Sequence, residues 1–133
     1  MSVVTSSLLP DDPPRRHEED ELQRSIVDYA RWALPQNALL FAVPNGGKRH
    51  KREAQRLVGL GVRAGIPDLI LWHDSHTLGI EVKLRNTYLS PHQRQMHDRM
   101  KVCGVPAVVV RSLDEFIATV QSFGVRLRAR TTA

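Results

Sequence analysis

The hydrophobic pattern changes period several times along the chain, and each change marks an element. Over residues 18–34, Leu22, Ile26, Tyr29, Ala30 and Ala33 recur every three to four positions, the spacing of one helix face. Pro35 ends that helix, because proline has no amide hydrogen for a continuing turn. Residues 38–43 (ALLFAV) read as a strand, closed by the turn residues Pro44, Asn45, Gly46 and Gly47. A basic helix over residues 51–60 follows and stops at Gly61. Residues 68–72 and 78–84 read as the strands of a hairpin, turning through the polar run 73–76. In the second strand Leu78, Ile80, Val82 and Leu84 share one face, so Glu81 and Lys83 share the other.

Two capping signals complete the set. Ser90, Pro91 and Gln93 supply an N-cap serine, a proline at the first helical position and a glutamine at the third, for a helix ending at Gly104. Residues 105–110 are an apolar strand, and Ser112 with Glu115 opens a last helix ending at Gly124. The order α-β-α-β-β-α-β-α predicts an α/β fold, a central mixed sheet flanked by helices. Residues 1–17 lack either period and read as a flexible tail, 18–124 as the folded domain, and 125–133 as a basic tail or edge strand.

Composition narrows the function classes. At 133 residues with 41% hydrophobic side chains the chain suits one domain. One cysteine, Cys103, excludes an internal disulfide framework and any multi-cysteine metal cage within the chain. No apolar run approaches the ~20 residues of a membrane span. Residues 1–14 lack the basic start and apolar stretch of a secretory signal. The expected location is therefore the cytoplasm, beside the nucleoid, or a host's cytoplasm for a phage-encoded protein. A net charge of +5 favours a polyanionic partner such as nucleic acid.

The candidate chemistry lies at the hairpin. Asp68 begins one strand while Glu81 and Lys83 lie late in the next, so antiparallel pairing brings them together. Alternation sets Glu81 and Lys83 on one face, ~7 Å apart. Hard divalent cations take carboxylate oxygens and water, and Asp68 and Glu81 can supply two, with the Val82 carbonyl as a third. Lys83 can orient or deprotonate a water, or neutralise charge building on a phosphate.

Pro67-Asp68, twelve residues, then Glu81-Val82-Lys83 resembles the core of the PD-(D/E)xK nucleases. The surroundings resemble their VRR-Nuc branch, the virus-type replication-repair nucleases. Glu19-x-x-x-Gln23 lies in the first helix and Pro44-Asn45-Gly46-Gly47 follows the first strand. Residues 61–66 (GVRAGI) run into Pro67-Asp68, and Ser90-x-x-Gln93 follows the second hairpin strand. The likeness spans roughly residues 18–116. It implies a restriction-endonuclease-like core and Mg²⁺- or Mn²⁺-dependent hydrolysis of DNA. The substrates it implies are branched, such as four-way junctions or flaps, in repair, recombination or phage-type replication. Some compact members act as homodimers.

Carried onto this chain, the resemblance gives Glu19, Asp68, Glu81 and Val82 to the metal, with Glu21 as the alternative to Glu19. Asp68, Glu81, Lys83 and Gln93 become catalytic, although a capping glutamine already has structural work at position 93. Asn45, Gly46 and Gly47 are either an ordinary turn or a close approach to phosphate. Lys48, Arg49, Lys51, Arg52, Arg56 and Arg63 form a basic cluster suited to phosphates, and His50 can join it. The histidines 73, 76, 92 and 97 read as surface residues, because neither close pair has further zinc ligands. The rival reading is a catalytically inactive basic nucleic-acid-binding module; a protein-interaction domain with an incidental basic surface is the third.

Overall fold

The computed structural model describes residues 13–44 and 51–128. Its elements are α1 (Pro13–Ala33), β1 (Ala38–Ala42), α2 (Lys51–Gly59), β2 (Leu69–His73), β3 (His76–Val82), α3 (Pro91–Val102), β4 (Ala107–Val110) and α4 (Leu113–Ser122). The α-β-α-β-β-α-β-α order and the mixed sheet agree with the sequence pattern. Four strands lie in the order β1-β2-β3-β4. β1 with β2 and β2 with β3 are antiparallel, and β3 with β4 is parallel. A parallel neighbour needs a crossover, and α3 supplies it.

The hairpin turn is tighter than the polar run suggested. His73 pairs with His76, leaving only Asp74 and Ser75 to turn, at φ +47° and +69°. Two positive φ values are the signature of a type I′ turn, whose twist matches that of the flanking strands. β3 in turn stops at Val82, two residues before the expected end, and Leu84 enters a turn closed by the Thr87 amide.

The N-terminal boundary departs from expectation, and one of the two C-terminal readings is removed. α1 begins at Pro13 rather than near residue 18. Prolines are accepted in a first helical turn, where the amide hydrogens they lack have no partner in the helix. Residues 125–128 are not a strand. Val125 is buried, and the Arg128 amide donates to the Ala33 carbonyl at 2.8 Å, satisfying an acceptor at the end of α1. Among the described residues, no helix is long and apolar enough to cross a membrane.

The sheet divides its duties by face. Leu69, Leu71, Leu78, Ile80, Val82 and Val110 form the main core with Ile26 and Ala30 of α1 and Phe116 and Val120 of α4. α3 lies over the opposite face, where Gly79 leaves room for Met100 and Pro67. Gly65 fixes how closely the loop before β2 meets α3. Its φ is +84°, and a Cβ there would lie 2.3 Å from the His92 carbonyl oxygen.

Gly65→Ala therefore combines backbone strain with a backbone collision and should cost about 2–4 kcal/mol. Gly104 has nearly the same φ, +83°, with nothing within 4 Å of its would-be Cβ. Gly104→Ala should cost only about 1–2 kcal/mol. Urea unfolding of the two variants checks this order, and equal midpoints would refute the close approach.

Candidate active site

Two carboxylates meet on the face of the sheet beneath α3. Leu69 pairs with Ile80, so Asp68 comes level with Glu81 at the end of the β2/β3 ladder. Asp68 Oδ2 accepts the Val82 amide hydrogen at 2.8 Å, which fixes its carboxyl against β3. Glu81 itself is 0% exposed. Strand alternation turns it away from the core that takes Ile80 and Val82, so it faces α3.

α3 holds that buried carboxyl with two side chains. Gln93 Nε2 donates to Glu81 Oε2 at 3.2 Å, and His97 Nε2 lies 3.1 Å from Glu81 Oε1. Positions 93 and 97 are one helical turn apart and so share a face. Gln93 also completes a capping box. Its Oε1 accepts the Ser90 amide at 2.8 Å, while Ser90 Oγ accepts the Gln93 amide at 3.2 Å. The capping contact and the Glu81 contact thus coexist on one side chain.

Loss of water pushes the Glu81 carboxyl up to about 8, and the negative charge and hydrogen bonding of Asp68 push the same way. Lys83 opposes the rise and Glu19 adds to it, so both lie close enough to act on the buried carboxyl. Burial lowers the His97 pKa, against a weaker upward pull from Asp98. Glu19 is half-buried, whereas Glu21 is exposed and faces His17, with 4.0 Å from its Oε1 to the imidazole Nε2. Of the two helix-start acids, Glu19 is the one on the Glu81 side.

Among the described residues, no three His, Cys, Asp or Glu side chains form a ready metal cage. The oxygens that could hold a metal are those of the Asp68–Glu81 pair, with the Val82 carbonyl beside Glu81 in sequence. Two like carboxyls pressed together in a water-poor site suit a hard divalent cation, which needs only one or two of them and takes its remaining oxygens from water or phosphate.

A family model for the VRR-NUC domain matches residues 15–114, about three quarters of the chain. The chain belongs to the VRR-NUC family. It is a nuclease-type domain. A solved structure described as a VRR_NUC domain protein is 26% identical, with a TM-score of 0.63 over 79% of this chain and 86% of that one. A second, described as a VRR_NUC domain, is 21% identical with a TM-score of 0.55, covering 79% and 96%, and shares the fold. Among curated proteins, none matches significantly.

In this VRR-NUC domain the basic residues divide. Lys51, Arg52 and Arg63 are exposed. Arg56 forks onto Glu53 at 3.0 and 3.1 Å, so part of its charge is already answered. Asn45, Gly46, Gly47, Lys48, Arg49 and His50 lie outside the described residues. A cleft of about 430 Å³ runs between Ala54, Leu57 and Val58 of α2 and Ser90, the N-cap of α3, with His92 and Gln93 of that helix. The basic helix therefore borders an approach to Gln93.

Two of the four histidines are not surface residues. His73 is 8% exposed and stands near the Phe123 ring, where burial at a strand end explains it. The His97 side chain is 13% exposed and touches Glu81. Its sequence signal was its place four residues after Gln93 on one helix face. His76 and His92 are exposed as expected.

A carboxyl pushed up to about 8 sets the sign of a pH dependence. Above the ordinary carboxyl range, the folded domain keeps a proton on Glu81 that the unfolded chain has lost. Stability therefore falls as pH rises toward that folded value. In EDTA, wild type should lose on the order of 2–4 kcal/mol relative to Glu81→Gln between about pH 5 and pH 8. Thermal melts across that range test this, and parallel curves would count against the raised carboxyl.

Proposed function

We propose that this VRR-NUC domain is a Mg²⁺- or Mn²⁺-dependent deoxyribonuclease that cuts branched DNA, such as four-way junctions or flaps. The observation that carries this reading is the buried Glu81 carboxyl beside Asp68, with Lys83 close enough to act on it. Asp68, Glu81 and the Val82 carbonyl would hold the cation, with Glu19 at the edge of the set. Bound there, the cation supplies Lewis acidity toward a phosphodiester oxygen and neutralises developing charge.

The chain's own side chains do the positioning. Gln93 and His97 each hold one oxygen of the Glu81 carboxyl, so it is not free to rotate. Lys83 Nζ orients the attacking water, or meets the negative charge that builds on the phosphate oxygens. Lys51, Arg52 and Arg63, with Lys48 and Arg49, contact backbone phosphates, and Asn45, Gly46 and Gly47 let the chain approach one closely. These contacts track charge rather than base sequence. A four-way junction has two strands to cut, so junction cleavage calls for a homodimer. The cytoplasm, beside the nucleoid or in a phage host, is where such DNA is met.

The test is cleavage of labelled duplex, flap and four-way-junction DNA with Mg²⁺, Mn²⁺ or EDTA, beside Glu81→Gln and Lys83→Ala. Wild type should cut with either metal and not in EDTA. Each variant should lose at least about 100-fold in rate while remaining folded. Junction cutting should come from a species of twice the chain mass. Wild type that binds DNA but cuts none of it with either metal would replace this reading with a basic binding module.

A further inference from the structure

One exposed ring lies on the segment that joins the strand of Glu81 to the helix of Gln93, without a part in the reaction proposed above. The segment from β3 to α3 starts at Lys83 and ends at Ser90, so both its ends belong to the site. It is tied down along its length. The Thr87 amide and Oγ1 donate to the Leu84 carbonyl at 3.1 and 2.7 Å, with Asn86 at φ +64° between them. Arg94 Nη1 donates to the Leu89 carbonyl at 2.8 Å. Arg111 Nη1 reaches the carbonyls of Leu84 and Thr87 at 2.7 and 2.6 Å.

Within this fixed segment, Tyr88 is 71% exposed. The Arg111 guanidinium lies over its ring, 5.6 Å from the centroid, which steadies the ring from one side. Two lines place this ring at the site. Its Cα is at most ~7 Å from that of Ser90, two residues on, and Ser90 is bonded to the same Gln93 that holds Glu81. The Lys83 amide donates to the Val110 carbonyl at 3.0 Å, so Arg111 follows immediately where the β3/β4 ladder reaches Lys83.

We propose that Tyr88, backed by Arg111, is a stacking platform for an unpaired nucleobase next to the phosphate being cut. This rests on the DNA-nuclease reading and adds to it what selects the substrate. An aromatic ring held in water by a rigid loop contributes little to the core, but it offers a flat surface to any base. Paired bases inside a continuous duplex are already stacked. Bases at a branch, flap or single-stranded end are free to leave their neighbours, so the platform discriminates by DNA structure and tolerates any base.

The experiment uses the full chain in EDTA with a flap oligonucleotide carrying 2-aminopurine at the unpaired position, and a blunt duplex beside it. Wild type should quench the probe, and Tyr88→Phe and Tyr88→Trp should do the same. Tyr88→Ala should bind the flap roughly 5- to 100-fold more weakly, with a change under about twofold on the duplex. The ring is exposed, so Tyr88→Ala should melt with wild type. If Tyr88→Ala binds the flap as wild type does, or loses flap and duplex equally, the platform is refuted and the nuclease reading stands. Wild type that binds neither DNA overturns the platform, and cleavage with Mg²⁺ or Mn²⁺ then decides the nuclease reading separately.

Discussion

A carboxyl with no access to water sits near the end of β3, between Ile80 and Val82. An isolated buried carboxylate is among the most unfavourable groups a domain can hold, so it must be neutralised, paired or hydrogen-bonded. Here the neighbours are arranged around that need. Asp68 is brought level with it by strand register, and Gln93 and His97 reach it from one face of α3. The sheet face that carries Glu81 is thus covered by polar contacts at one point and by Met96 and Met100 along the rest of the helix.

This arrangement makes α3 both crossover and support. A parallel β3/β4 pair requires an element to carry the chain back along the sheet, and any helix of suitable length would serve. The side chains at positions 93 and 97 make this one serve the buried carboxyl as well. Because Gln93 also closes the capping box, the start of α3 and the orientation of Glu81 are set by one residue. Gly65 completes the fit by letting the loop before Asp68 meet the first turn of α3 without a side chain between them.

The elements were legible because each carries its own local signal. Capping residues stand at the starts of α3 and α4, helical spacing marks α1, and alternation in β3 sets Glu81 apart from Ile80 and Val82. The α/β order and the company of Asp68 with Glu81 follow from those signals and antiparallel pairing. Misread features depend on tertiary context. His97 looks like any polar helix residue until α3 docks on β3, and His73 looks like a turn residue until strand pairing extends to His76. The early start of α1 at Pro13 was hidden by prolines, which read as disorder yet fit a first turn. Of the two readings for the segment after Gly124, tail or edge strand, the strand does not form over 125–128, where the Arg128 amide is taken by the carbonyl of Ala33 rather than by a sheet neighbour.

The two-residue turn at Asp74 and Ser75 bears on the order in which the domain assembles. A hairpin closed by so short a connection forms on the microsecond scale, about 1–10 μs, because little chain entropy is lost in joining its strands. β4 must wait for the whole α3 crossover, a longer loop to close and hence a slower contact. Asp68 and Glu81 are therefore neighbours as soon as the hairpin exists, before the helix that shelters Glu81 has docked. During that interval the pair still has water around it, and neither group bears the full cost of burial. The hairpin alone is enough to set the two acids side by side, whereas their dehydration needs the docked helix.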